Sequence, residues 1–173
     1  ANELRADSLE HHQIIEYFTK NIELISLNRK LILMEGDQKS DSLYISINKL
    51  SGTTNYHPDF QTYHSIAQNG EILKISNLDL RKDIAQYYAY YNTLEDRHDM
   101  VNIVRREKLF PFIAKHYSLY KQKILNKKAY QSDELLNILF EMRDLEIQRI
   151  YGYKKALQMS SDLKNLIESE IED

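Results

Sequence analysis

Glycine and proline, the residues that most often interrupt helices, account for only six of the 173 residues in this chain. An average protein contains roughly 12% of the two together, so this sequence has few of the turns that a β fold requires. The scarcity therefore favours long helices. We predict an all-α fold on this basis.

Apolar residues recur at intervals of three and four along most of the chain, which is the period of an amphipathic helix. One such series contains Leu80, Ile84, Tyr87, Tyr91, Leu94, His98, Val101, Arg105, Lys108 and Phe112. The patterns predict three long helices at about 3–35, 77–123 and 132–170, with two short helices inserted at about 40–50 and 58–69. Long helices with such stripes pack nearly antiparallel, so we expect an elongated helical bundle.

The first long helix carries two overlapping apolar series. One consists of Ile15, Phe18, Ile22 and Ile25, and the other of Leu24, Leu27, Leu31 and Met34. Together they predict a wide apolar face that contacts more than one neighbouring helix.

Local signals mark where the other two long helices begin and bend. Ser76 and Asp79 resemble a capping box at the start of the second, and Ser132 is placed to cap the third. Pro111 falls inside the second helix and removes one backbone hydrogen bond, so a kink is expected near residues 107–111.

Size, charge and cysteine content narrow the possible classes of protein. The length matches the roughly 100–200 residues of one domain, so we expect a single helical domain over residues 1–173. A formal net charge of −3 argues against a general nucleic-acid binder, which would have a basic excess. There is no cysteine, which excludes disulfides and thiolate sites. No phosphate-binding loop or other cofactor motif occurs, so we expect no cofactor.

Three basic side chains, His98, Arg105 and Arg149, fall at apolar-stripe positions of the two longest helices. Burying an unpaired charge is expensive, so these residues need partners or a solvated cavity. One interpretation is a polar pocket that binds an anion or a carboxylate ligand. The other is structural: an ion-pair network with Glu146 or Glu95, or a stripe that turns outward.

A Glu-x-x-His spacing joins Glu95 to His98 on one predicted helix. Di-iron bundles contain this motif twice, together with two further glutamates, and no second copy occurs here. The spacing alone therefore predicts no metal site.

Four tyrosines lie within the five residues 87–91 and point around most of the helix. Some of them must be in the core, and others must reach the surface. Tyrosine suits interfaces because it combines apolar area with a polar tip. We take Tyr88, Tyr90 and Tyr91 as a candidate interface, with ordinary aromatic packing as the alternative.

The basic cluster of the sequence consists of Lys121, Lys123, Lys127 and Lys128, close to the predicted turn before the last helix. Lysines at a helix C-terminus interact favourably with the helix dipole, which is a sufficient structural explanation. Contact with phosphate or lipid head groups is the alternative, and it calls for more charge than these residues alone supply.

Residues 59–91, in the middle of the chain, contain a pattern of matching residues: Thr62-Tyr63-His64-Ser65-Ile66-Ala67-Gln68-Asn69-Gly70, then Ile72, Ile75, Asn77, Leu80-Arg81 and Tyr87-Tyr88. In this pattern the chain resembles an uncharacterised family from Bacteroidetes-type bacteria. Members of that family combine a short cytoplasmic start, one transmembrane helix and a helical soluble domain. The resemblance implies that this chain is the soluble part of a membrane-anchored protein, with its anchor N-terminal to the present sequence. It also implies a location on the periplasmic side of the inner membrane, and it supplies no activity.

Since no catalytic motif occurs, we expect a non-enzymatic helical interaction module of a membrane-anchored protein. Its partner would be another protein or a second copy of the chain, and not a nucleic acid. One alternative is an extracytoplasmic sensor-type bundle that binds a small anionic ligand at His98, Arg105 and Arg149. The least favoured alternative is a metal-assisted enzyme that uses Glu95 and His98.

Overall fold

A computed structural model describes residues 2–34, 40–50, 52, 61–118, 120–121 and 123–172. Most of these residues are helical, which confirms the predicted all-α class. The helices are α1 (Asn2–Leu33), α2 (Ser40–Lys49), α3 (Gln61–Gln68), α4 (Leu78–Val104), α5 (Phe110–His116) and α6 (Asp133–Glu172). Short 3-10 helices occupy Glu71–Lys74 and Ala129–Gln131.

The predicted bounds of four helices agree closely with the structure. The first and last long helices begin and end within about two residues of the predicted positions, and α2 ends one residue early. The short helix predicted at 58–69 corresponds to α3, and its first three predicted residues lie outside the described part of the chain.

The prediction for the second long helix is wrong at its C-terminal end. Helix α5 ends at His116 rather than near residue 123, because Tyr117 adopts an extended conformation. A small antiparallel hairpin follows, formed by β1 (Tyr117–Ser118) and β2 (Lys123–Ile124). The backbone N–H of Leu125 donates to the carbonyl of His116 at 2.8 Å and so satisfies a carbonyl at the helix end.

Between α4 and α5 the chain forms a π-helical turn, Arg105–Leu109, in which Phe110 N–H donates to Arg105 O. Pro111 then lies in the first turn of α5, where its missing N–H is not needed. The wide turn holds one residue more than an α-helical turn. As a result Leu109 is buried, while Lys108, which was predicted on the apolar stripe, is exposed.

Two predicted helix starts have different outcomes. The cap of α4 is Asn77 and not Ser76: Asn77 Oδ1 accepts from the backbone N–H groups of Asp79 and Leu80, each at 3.0 Å. At α6 the prediction is confirmed, because Ser132 Oγ accepts from Leu135 N–H at 3.5 Å.

The buried face of α1 differs from the predicted one. Its buried residues are Leu4, Asp7, His11, Ile14, Phe18, Asn21, Ile25, Asn28 and Ile32, at strict intervals of three and four. Phe18 and Ile25 belong to the predicted stripes, but Leu27 and Met34 are exposed. The predicted stripes have the wrong phase because four positions of the real one are polar.

The chain divides into two compact units. Unit 1 comprises Ala1–Glu16, Asn55–Asp96 and Tyr151–Asp173, and unit 2 comprises Tyr17–Thr54 and Arg97–Ile150. A single apolar cluster fills unit 2, with members from α1, α2, α5, the hairpin and α6: Ile25, Ile47, Leu50, Phe112, Tyr117, Leu135 and Met142 are among them. The expectation of one domain stays a prediction.

Replacing Asn77 with alanine removes the acceptor for two backbone N–H groups at the start of α4, so the free energy of unfolding should fall by about 1 kcal/mol. Asn77→Ser should keep most of the stability because serine also caps helices. Urea denaturation measures both variants, with Ser76→Ala as the matched control. An equal loss from Ser76→Ala would contradict the assignment of the cap.

Candidate functional site

The three basic residues singled out in the sequence lie together in unit 2. His98 is on α4, Arg105 opens the π turn, and Arg149 is on α6. Both arginine side chains are only 1% exposed, and the carboxylate of Glu146, which joins them, is completely buried. Helix α6 presents Glu146 and Arg149 on one face because they are three residues apart.

Glu146 accepts hydrogen bonds from three side chains. Its Oε1 accepts from Arg105 Nη2 at 3.1 Å and from Asn21 Nδ2 at 3.0 Å, and its Oε2 accepts from Arg149 Nη1 at 3.1 Å. Charge-assisted bonds of this kind offset part of the cost of removing the charges from water.

Arg105 has two further acceptors outside the carboxylate. Its Nε donates to the carbonyl of Leu50, at the end of α2, at 3.0 Å, and its Nη1 donates to Asn102 Oδ1 at 3.4 Å. The residue therefore connects the π turn to the segment that follows α2.

Arg149 contacts both His98 and an aromatic ring. Its Nη2 donates to His98 Nδ1 at 2.6 Å, and its guanidinium carbon lies 3.6 Å from the centre of the Phe18 ring. A guanidinium has no acceptor, so Nδ1 of His98 must accept and carry no proton in this arrangement. The ring contact adds a cation–π interaction to the ion pair.

The convergence of the three residues matches the ion-pair network with Glu146 that the sequence left open. Glu146 already lies between the two guanidinium groups, so an anionic ligand would compete with a buried carboxylate. The anion pocket stays a prediction.

The Glu-x-x-His spacing is less favourable for metal binding. Glu95 is exposed, and His98 uses Nδ1 as the acceptor for Arg149. Within the described residues, no group of three or more histidines, aspartates or glutamates is placed to hold a metal ion.

Removing the charge of Glu146 should destabilise the protein strongly. Glu146→Gln leaves two buried guanidinium groups without their carboxylate, and a loss of about 3–5 kcal/mol is expected. Urea denaturation measures this loss. The matched control is Glu141→Gln, which breaks the exposed pair with Lys108 (2.7 Å) and should cost roughly 0–1 kcal/mol. Similar losses in both variants would contradict a structural role for the buried network.

A second buried polar group lies in unit 1 and was not identified from the sequence. Tyr87 Oη donates to Asp7 Oδ2 and bonds to Tyr91 Oη, each at 2.9 Å, and Tyr91 Oη in turn bonds to His11 Nε2. The four side chains form a continuous hydrogen-bonded chain from a carboxylate to an imidazole, which we call the tyrosine relay. All four are buried.

Burial governs protonation along the tyrosine relay. The pKa of His11 is lowered from 6.5 to about 4, first by desolvation and then by the neighbouring charge of His12. Desolvation also raises the pKa of Tyr87, with Asp7 adding to the rise and the bond from Tyr91 opposing it. The imidazole of His11 and the phenol of Tyr87 are therefore neutral near pH 7.

The sequence contained a signal for this relay. Asp7 and His11 are four residues apart, and so are Tyr87 and Tyr91, so each pair lies on one helix face. The sequence alone does not connect the two pairs, because the partner of His11 is Tyr91 on another helix.

The relay should make stability depend on pH. Because the folded state lowers the pKa of His11, stability is highest above pH 6.5 and falls as the pH drops to about 4, by about 3 kcal/mol from this group. In His11→Gln, which keeps a side-chain acceptor, this component should disappear.

Urea denaturation of the unchanged protein and of His11→Gln, each at pH 7 and at pH 4, measures this component. The difference in the free energy of unfolding between the two proteins should not be the same at the two pH values. His64→Gln, at an exposed histidine, is the control. If the difference in the free energy of unfolding between the two proteins is the same at pH 7 and pH 4, His11 is excluded as the source of the pH dependence.

The predicted tyrosine interface is corrected at one position. Tyr91 is 1% exposed and belongs to the core, so it has no place on a surface.

Tyr90 is half-buried, donates to the carbonyl of Gly152 at 3.3 Å and lies beneath the ammonium of Lys155. Tyr88 is half-buried and stacks on Tyr63, with the ring centres 4.1 Å apart and the planes at 10°.

The stacked rings border an open cleft of about 200 Å³ in unit 1, which we call the tyrosine cleft. Helix α3 supplies Tyr63 and His64, and α4 supplies Ala85, Tyr88, Ala89 and Asn92. Ala85 and Ala89 are one turn apart, so their small side chains leave space beside the aromatic wall.

Comparisons with known proteins give no match: no family model, curated protein or solved structure is similar to this chain. The resemblance to the Bacteroidetes-type family stays a prediction. Among the helices of the described chain, none has the length and apolar character needed to span a membrane.

Proposed function

We propose that this chain is a non-enzymatic helical interaction module whose tyrosine cleft receives a large apolar side chain from a partner protein. The observation that carries the proposal is the cleft itself, with two stacked tyrosine rings beside two small residues. Its volume of about 200 Å³ suits one side chain rather than an extended ligand. The four residues Tyr63, Tyr88, Ala85 and Ala89 provide apolar surface, and His64 and Asn92 add polar groups.

The chemistry of the cleft favours a protein over a small metabolite. Binding energy at protein interfaces concentrates where an anchoring side chain fills a pocket, and tyrosine is enriched at such places. Each tyrosine supplies a large rigid area with few rotatable bonds, so little conformational entropy is lost on binding. The parallel stack of Tyr63 on Tyr88 further restricts both rings before a partner arrives.

We also propose that the module belongs to a membrane-anchored protein and lies on the periplasmic side of the inner membrane. The support is the family resemblance over residues 59–91. That stretch includes Tyr63, His64 and Tyr88, so the residues that carry the resemblance overlap the cleft.

The runner-up function is a sensor-type bundle with a small anionic ligand at His98, Arg105 and Arg149. The convergence of three basic side chains favours it. The bonds from both arginines to Glu146 weigh against it, because a ligand would have to replace them.

The cleft can be tested by site-specific photo-crosslinking in cells that produce the protein. A photoreactive residue at Asn92, on the cleft, should yield a discrete adduct with one protein, and the same residue at the exposed Lys154 should not. Ala89→Arg fills the cleft and should remove the adduct. The matched control is Ala114→Arg at an exposed alanine of α5, which should leave the adduct unchanged.

Two results would contradict the proposal. An adduct that survives Ala89→Arg, or that forms equally from Lys154, would show that the cleft is not the contact. Turnover of a substrate by the purified chain, lost on replacing one residue, would contradict a non-enzymatic role.

A further inference from the structure

Charge is distributed very unevenly along this chain. Residues 109–132 contain five lysines and no aspartate or glutamate. Because the whole chain has a formal net charge of −3 and this stretch contributes +5, the remaining residues carry −8. A basic segment in an otherwise acidic protein indicates a local surface for a negatively charged partner.

The structure shows that the base of this segment is firmly held. Tyr117 pairs with Ile124, and Ser118 with Lys123, across the hairpin. Tyr117 is buried in the core of unit 2, and Ile124 packs against that core. Ser118 Oγ accepts from the backbone N–H of Lys121 at 3.1 Å.

The hairpin turn and the residues that follow β2 combine charge with exposed apolar area. Tyr120 is 96% exposed and Leu125 is 57% exposed, so both large side chains are accessible from solvent. Exposed lysines lie on both sides of them. We define the hairpin surface as Tyr120, Lys121, Lys123, Leu125, Lys127 and Lys128.

Lys115, the fifth lysine of the stretch, is not part of this surface. It lines a different groove, about 500 Å³ in volume, together with Glu107, Glu134 and Glu141. The carboxylates in that groove offset its charge.

We propose that the hairpin surface binds the head groups of an anionic lipid membrane, because the exposed Tyr120 and Leu125 add the apolar contact that makes up for what the charge of the lysines alone does not supply. The ammonium groups of Lys121, Lys123 and Lys128 would contact lipid phosphates, and each contributes about fivefold to partitioning onto an anionic surface. Tyr120 and Leu125 would enter the interfacial layer of the membrane. This layer suits tyrosine because the ring contacts acyl chains while the hydroxyl group contacts water and head groups.

The remaining charge of the chain supports a membrane over a nucleic acid. The charged residues of the hairpin surface are all positive and are attracted to an anionic bilayer, whereas the residues outside 109–132 carry a net charge of −8, which it repels. A nucleic acid would need phosphate contacts over a wider basic area, which the acidic remainder does not supply. The exposed Leu125 likewise suits acyl chains better than a phosphate backbone. This inference goes beyond the interaction module and does not depend on the tyrosine cleft.

Vesicle sedimentation tests the proposal on the full chain. Vesicles of phosphatidylcholine containing about one-third phosphatidylglycerol should bind the protein, and vesicles of phosphatidylcholine alone should not. Binding should weaken as salt is raised, because exposed charges are screened.

The matched variants separate local from overall charge. Lys121→Glu combined with Lys123→Glu should reduce partitioning more than tenfold. Lys82→Glu combined with Lys154→Glu changes the net charge equally at exposed positions on α4 and α6, and should leave partitioning within about twofold. Tyr120→Ser should reduce partitioning several-fold while leaving its salt dependence unchanged.

Three outcomes would overturn the proposal. The first is equal binding to neutral and anionic vesicles, or no binding to either. The second is an equal loss in the two lysine pairs, which would show an effect of net charge alone. The third is tighter binding to a short oligonucleotide than to anionic vesicles, which would identify the surface as a nucleic-acid contact.

Discussion

The buried carboxylate of Glu146 connects three elements of unit 2 through direct hydrogen bonds. It accepts from Asn21 on α1, from Arg105 at the π turn and from Arg149 beside it on α6. Arg105 extends the network to the carbonyl of Leu50 after α2. A buried ion of this kind is tolerated only when all of its donors are in place, so the network specifies the packing of these helices more narrowly than apolar area alone.

The helices could be predicted from the sequence because their signals are local. The intervals of three and four, and Ser132 before α6, depend only on neighbouring residues. The end of the second long helix could not be predicted from local signals, because Tyr117 leaves the helix to pair with Ile124 seven residues later. The buried stripe of α1 was missed because Asp7 and Asn21 have their partners on other helices.

The candidate sites likewise depend on contacts between residues that are distant in the sequence. His98, Arg105 and Arg149 were found because basic residues on an apolar stripe conflict with the pattern around them, and the structure brings them together at Glu146. His11 does not conflict with its surrounding pattern in this way, since a histidine beside another histidine near a helix start is common. Among the tyrosines, composition could not separate the buried Tyr91 from the half-buried Tyr88, because that difference depends on which face of α4 meets α1 and α3.

The π turn has a consequence for the length of the chain. Five residues there cover the rotation that an α-helical turn covers with about four, so the segment contains one more residue than the packing of its flanking helices requires. Loss of one exposed residue, such as Arg106 or Glu107, would remove this extra residue and keep Leu109 and Phe112 facing the core, while Pro111 would still leave one backbone hydrogen bond of the helix unmade. A deletion within α4 or α6 would instead rotate every following side chain by about 100°. The turn is thus a natural position for length variation among related sequences.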